Sequence, residues 1–289
     1  MMSGPKDHTE ASSPSIHPKT TPHILLHIPH ASVYVPASCR DQFVLSDAAL
    51  GEELFRLTDH ATDLLFQRSA VENTLGGLSE GTVQPLVFPV SRFVVDAERF
   101  ADDDQEPMEE RGQGVLYRLT SQGEPLRRAL RPGEREHLLE QYYRPHHAEL
   151  TQRVDRALEV YGRALIIDCH SFPDRPLPVD SDQSPDRPDI CIGTDDFHSR
   201  RSLVERLEAV GRERGLTVCR NRPYAGTMVP LAHFQRDDRV QSVMLEINRR
   251  LYMGEAEGPD LESESFRQVQ TLCTDLICAA IQTHTENEN

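Results

Sequence analysis

An α/β fold, with a central sheet covered by helices on both faces, is the architecture this sequence predicts. Three observations predict it: short apolar runs read as buried strands, longer amphipathic stretches read as helices, and the two alternate along the chain. HILLHI (23–28) opens the strand set, and ALIIDCH (164–170), PDICIG (188–193), LTVCRN (216–221) and QSVMLEIN (241–248) continue it. VQPLVFPV and FVVDA, within 83–97, read as extended, with Pro89 marking an edge or a bend. The stretch 47–69 carries Leu50, Leu54, Leu57, Ala61, Leu64 and Leu65 at helical spacing. GEREHLLEQYY and PHHAELTQRVDRALEVYG read as two helical segments, with Pro145 placed in the first turn of the second. Residues 197–214 and about 260–282 supply the remaining helices.

A chain of 289 residues has length for one large or two small domains. Residues 1–20, rich in Ser, Pro, Thr and His, read as a disordered tail, and 285–289 as a frayed end. Residues 21–284 are expected to form a single α/β domain. No apolar run approaches the ~20 residues that cross a bilayer, so a membrane partner is not expected. The first residues lack an apolar secretion core, and the six cysteines form no C-x-x-C pair. Both features predict a cytoplasmic protein with reduced thiols. A formal charge of −16 argues against nucleic acid. It leaves room for a small anionic substrate, because local arginines can reverse the field inside a cleft.

In open α/β sheets, sites gather just beyond the carboxyl ends of strands. His30 follows HILLHI, His170 follows ALIIDC, and Glu246 follows VML. Neutral imidazole is a preferred zinc ligand, and a catalytic zinc commonly keeps three protein ligands plus water. Taken alone, the two histidines read equally as ligands or as hydrogen-bonded interior residues. A third ligand would come from Asp59 or Asp63, one helical turn apart in TDHATD and on one face if that segment is helical. The same acids also suit the start of a second helix. His60 points elsewhere on such a helix.

His147 lies three residues before Leu150 and seven before Val154, so it extends the apolar stripe of its helix and is expected to face inward. His146 is expected to face solvent. Glu246 ends an apolar run, an expensive place for a charge without a partner. A carboxylate there serves either as general base or in a salt bridge to Arg249 or Arg250. Arg92 and Arg99 bring planar forks suited to a substrate carboxylate or an oxyanion, or to surface ion pairs. Cys169, inside an apolar run beside His170, reads as a buried bystander.

Together the segments IPHAS (28–32), TDHATDLLF (58–66), SRFVVDAER (91–99), YRPHHAEL (143–150), IIDCHS (166–171), NRPYAGTM (221–228) and MLEINRRLYM (244–253) resemble the N-formylglutamate amidohydrolases. The resemblance implies a phosphorylase/hydrolase-like α/β fold with a mixed sheet, related to zinc carboxypeptidases and aspartoacylases. It implies one zinc ion on His30, His170 and an acid, with Asp59 the best match and Asp63 next. It implies Glu246 as base, Arg92 on the scissile carbonyl, and Arg99 on the substrate carboxylate. Inward-facing His147 is expected to bind substrate or orient another ligand, and Asn221 to help orient the substrate. The expected substrate is a small anionic N-acyl amino acid. Rival expectations are a zinc deacylase or peptidase for another substrate, or a binding protein on the same fold.

Two departures from the resembled pattern stand out. Val33 occupies the place, three residues after the first histidine, where carboxypeptidase-type sites carry their acid. The segment that reads D-L-N-R in the family is Asp96-Ala97-Glu98-Arg99 here, with Glu98 replacing asparagine. His146 also stands where many relatives carry tyrosine.

Overall fold

The structure, a computed structural model, describes residues 23–76, 81–254 and 258–286. The expected tail over 1–20 lies outside them, as do residues 287–289. In chain order the main elements are β1 (His23–Ile28), α1 (Asp47–Leu57), α2 (Thr62–Leu65), α3 (Arg68–Leu75) and β2 (Val83–Val87). They continue with α4 (Glu134–Leu138), α5 (Arg144–Tyr161), β3 (Ala164–Phe172), β4 (Ile190–Gly193) and α6 (Arg201–Glu213). Strands β5 (Val218–Arg220) and β6 (Val240–Asn248) and helix α7 (Glu264–Glu286) complete them.

The six strands form one sheet in the order β2-β1-β3-β6-β4-β5. The first four run parallel, β4 is antiparallel to β6, and β5 is parallel to β4, so the sheet is mixed. Strands buried on both faces read as continuous apolar runs, which is why they were visible in the sequence.

Side chains alternate between the two faces of a strand. On one face Ile24, Leu26, Ile167, Val243 and Leu245 pack with α6 and α7, through residues such as Leu207, Leu272 and Leu276. On the other, Leu25, Ala164 and Ile166 pack against Val154 and Ala157 of α5. Each such Val, Leu or Ile side chain, fully buried, contributes about 1.5–3 kcal/mol. A separate apolar cluster, including Phe88, Phe93, Tyr117 and Leu126, gathers α1 with the largely irregular chain between β2 and α4.

Two helical expectations are corrected. The segment 47–69 is not one helix: α1 stops at Leu57, Ala61 takes a left-handed φ of 58°, and α2 then starts afresh. The break is fixed from outside, because the Asp59 N–H donates to the His30 carbonyl (3.0 Å) and Arg249 Nη1 donates to the Arg56 carbonyl (2.8 Å). The two helical segments around Pro145 are in fact continuous through a π-helical turn, Leu139–Tyr143. Proline lacks the N–H that would close the preceding α turn, and widening to π accommodates it.

Helix α7 extends to Glu286, past the expected start of fraying. Its His284 is buried beside Gln241 of β6, and its Nε2 has no partner. Burial, with the positive charges of Arg163 and Arg200, lowers its pKa to about 3. The unfolded chain takes up this proton near 6.5, so the folded state loses stability as pH falls from there toward 3. His284→Gln should therefore reduce the loss of stability between pH 7 and pH 5 by about 2 kcal/mol. Urea midpoints at the two pH values check this, and an unchanged loss would contradict it.

Candidate active site

Strand alternation builds the site. On the α5-facing side of the sheet, apolar residues near the strand starts give way to His27 on β1, Asp168 and His170 on β3, and Glu246 on β6. His27 is the register partner of Asp168, and His170 of Glu246, so each pair stands side by side on neighbouring strands. His30 follows two residues beyond β1. All five are buried.

Cys169 alternates to the opposite face, in the core under α7. Its Sγ donates to the Ile167 carbonyl, and burial pushes the thiol well above its usual range. Cys169→Ala should retain turnover within about twofold, since a nucleophile needs an accessible thiolate. A steady-state assay of the variant checks this, and a loss of two orders of magnitude would return the thiol to the chemistry.

The histidines are held by carboxylates. His30 Nε2 donates to Asp96 Oδ1 (2.8 Å), and His170 Nδ1 donates to Asp59 Oδ2 (2.8 Å). Asp59 Oδ2 also lies 3.7 Å from His30 Nδ1, so one carboxylate oxygen faces both rings. Burial opposes charge on Asp59, yet the hydrogen bond from His170 and the nearby His30 ring hold its carboxyl below the usual range. Burial likewise opposes charge on His170, but Glu98 and Asp168 raise its pKa well above the ordinary value. Asp63, the alternative acid, is exposed on α2.

Asp96 is the hub of the opposite wall. Beyond His30 it accepts from Arg92 Nη2 (3.0 Å), Tyr117 Oη (2.8 Å) and the Glu98 N–H (2.9 Å). Arg92 is thereby fixed at the cavity wall, with Nη1 3.9 Å from Asp59 Oδ1. Arg99 also lines the cavity, donating through Nε to the Gln113 carbonyl (3.2 Å). His147 lines it too, its Nε2 donating to the Ala97 carbonyl (2.8 Å).

Glu98 enters the centre of the site rather than pointing outward. Its Oε2 is 3.2 Å from His170 Nε2 and 3.7 Å from His30 Nδ1. Glu246 is buried with Oε2 unpartnered, and burial pushes its carboxyl up to about 8. These groups open onto a cavity of about 570 Å³.

Two expectations need correction. Asn221 is exposed, exchanges hydrogen bonds with Thr194 (both 2.8 Å), and does not line the cavity. The neighbouring segment from Pro223 to Val229 lines it instead. His146, expected in solvent, is buried with its Nε2 2.9 Å from His27 Nε2. The buried stripe of α5 is His146, Leu150, Val154 and Ala157, so it descends in steps of four, four and three and passes through 146 rather than 147.

His27, Asp96 and Asp168 were not singled out in the sequence. Asp168 carried the same signal as Glu246, a charge inside an apolar strand.

The donor set fits a metal ion. His30 Nδ1 is buried without a hydrogen-bond partner, while its Nε2 is taken by Asp96. Two carboxylates approach that bare nitrogen at 3.7 Å. Tetrahedral zinc with bonds near 2.0–2.1 Å sets ligand atoms about 3.3 Å apart, close to this spacing.

The fold and the cluster define an α/β protein with a histidine–carboxylate centre at the carboxyl ends of parallel strands. The sequence profile of the N-formylglutamate amidohydrolases matches residues 23–253, and the chain belongs to that family. It is 29% identical over 267 residues to an N-formylglutamate deformylase of Pseudomonas putida, covering 89% of this chain and 92% of that one. The crystal structure of N-formylglutamate amidohydrolase from Ralstonia eutropha JMP134 superposes with a TM-score of 0.75 at 25% identity, over 92% of this chain and 95% of that one. A gene product of Agrobacterium tumefaciens shares the fold, with a TM-score of 0.63 at 19% identity, over 90% of this chain and 91% of that one. No helix among the described residues is long and apolar enough to cross a membrane.

Proposed function

We propose that this protein is a zinc-dependent amidohydrolase that removes the formyl group from N-formylglutamate or a closely similar N-acyl acidic amino acid. The observation that carries the reading is the pairing of an unpartnered, buried His30 Nδ1 with an unpartnered Glu246 Oε2 at one cavity. His30, Asp59 and His170 would hold the ion, and Glu98 reaches the same space. When bound, zinc supplies a water of lowered pKa and a Lewis acid for the amide carbonyl.

The chain's residues do the rest. Glu246 accepts the proton of the attacking water and delivers it to the departing amine; a carboxyl poised near neutrality suits both tasks. Arg92, held by Asp96 and Tyr117, meets the oxyanion with a preset charge. Arg99 pairs with a substrate carboxylate, and His147 packs the same wall. Asp96 orients the His30 ring. The six free cysteines suit a reducing, cytoplasmic setting.

Release of the free amino acid is to be measured from N-formylglutamate, N-acetylglutamate and N-formyl derivatives of neutral amino acids, with bound metal determined on the same preparation. The expected result is zinc in the protein and turnover fastest on the acidic formyl substrate, lost on chelation and restored by zinc. Zinc-loaded protein inert toward the whole panel would overturn the hydrolase reading. A preference for neutral substrates would move the specificity, in the direction expected of Glu98's negative charge.

A further inference from the structure

We propose that His27, Asp168 and Glu98 form a second divalent-cation site, joined to the first through the Glu98 carboxylate. The inference rests on the reading of His30, Asp59 and His170 as the first site.

The arrangement of Glu98 carries the argument. Both its oxygens approach His170 Nε2 (3.3 and 3.2 Å), and on either side of that ring they diverge: Oε1 is 3.6 Å from His27 Nδ1, and Oε2 is 3.7 Å from His30 Nδ1. A carboxylate that presents one oxygen to each of two histidines is placed as a bridge. Ligand atoms on one zinc lie about 3.3 Å apart, and paired catalytic ions lie about 3.5–4 Å apart. The separations on both sides of Glu98 are of this order.

The second trio is compact and enclosed. One ligand atom from each of His27, Glu98 and Asp168 lies within 4.8 Å of the others. His27 and Asp168 are buried, and Glu98 is largely so. Asp168 Oδ2 is engaged by the Met228 N–H (2.9 Å), which leaves Oδ1 to face His27 Nδ1 at 2.7 Å.

Hydrogen bonding alone does not satisfy this cluster. His27 Nδ1 has a single hydrogen to offer, and Asp168 takes it, although Glu98 Oε1 approaches the same nitrogen. His170 Nε2 also reaches Glu98 (3.2 and 3.3 Å) and Asp168 Oδ1 (3.2 Å), but as a ligand of the first ion it keeps no hydrogen for them. With that ion bound, two carboxylates converge on the one donor left, with like charges held close in a dry setting. A cation among them replaces that single proton and serves both acids. Its entry displaces the Nδ1 proton and opens the His27–Asp168 contact by about 0.6 Å, to ligand spacing. The one hydrogen of the His27 ring then sits on Nε2 instead, where His146 Nε2 stands at 2.9 Å to accept it and fix the ring. One histidine and two carboxylates suit zinc or manganese.

The test is a metal count on the full-length chain. Metal-stripped protein is dialysed against Zn²⁺, and in parallel Mn²⁺, and bound ions per chain are measured by elemental analysis. Two ions are expected in the wild type, and one each in His27→Gln and Glu98→Gln variants whose circular dichroism matches it. A single ion in the wild type would overturn the second site and leave the first standing. No ion would overturn both readings. Two ions in the wild type and still two in a folded His27→Gln variant would place the second ion elsewhere and likewise overturn the proposal. The wild-type count decides the matter even if a variant fails to fold.

Discussion

Replacing Glu246 by glutamine is expected to lower kcat by about 10²–10⁴-fold, the usual contribution of a positioned acid–base group. Glutamine keeps the shape and burial of the side chain but cannot take a proton from water. Glu246 is outside the proposed ligand set, so the variant should bind zinc as the wild type does. Stability should move the opposite way to activity. Burial raises the Glu246 carboxyl to about 8 in the metal-free protein. A folded-state pKa above the unfolded value means stability is lost as pH rises from about 4.5 toward 8. The glutamine variant escapes that loss, so its metal-free form should melt above the wild type at neutral pH. Near-normal turnover in the variant would sink the base assignment, whatever the melting result.

The second large effect falls on Asp96, and it is one of stability. This carboxylate is fully buried and accepts from His30, Arg92, Tyr117 and the Glu98 backbone. Burial opposes its charge, but His30, Arg92 and Arg99 hold it well below the usual carboxylate range. Asp96→Ala leaves the largely buried Arg92 guanidinium without its main counter-charge. Breaking one partner of such a pair costs about 3–5 kcal/mol. For a domain of this size that lowers Tm by roughly 10 °C. Zinc affinity should fall as well, by about 10–100-fold, because the His30 ring loses the group that orients it. Calorimetry and a competitive chelator titration read the two effects separately. A Tm within about 2 °C of the wild type would show that Asp96 is not the hub its contacts describe.

The sheet was legible because parallel strands leave long apolar runs, and a polar residue closing such a run is conspicuous. That rule reached His30, His170 and Glu246. It does not reach His27 and Asp168, which lie inside their apolar runs rather than closing them, although Asp168 sits among Ile167 and Cys169 and bears the same cost. The helical misreading of 47–69 has a different origin. Leucines recur at helical spacing on both sides of the break, yet the break depends on the Asp59 N–H reaching the His30 carbonyl. A contact with a residue 29 positions away in the chain leaves no local periodicity to read. The wall that holds Arg92, Asp96 and Arg99 was illegible as structure for a related reason. Its apolar residues, Phe88, Phe93 and Tyr117 among them, form a core without a regular element to impose a repeat.

The parity of β3 has a practical consequence for engineering. Its odd-numbered positions, such as Ile167 and Cys169, face α7, while Asp168 and His170 face the chemistry. A combinatorial library confined to the odd positions and the apposed leucines of α7 can therefore search for heat tolerance while leaving every proposed ligand and base untouched. A library on the even positions beyond Ile166, which itself packs against α5, would search reactivity. One strand thus offers two separately addressable design surfaces, selected by whether the residue number is odd or even.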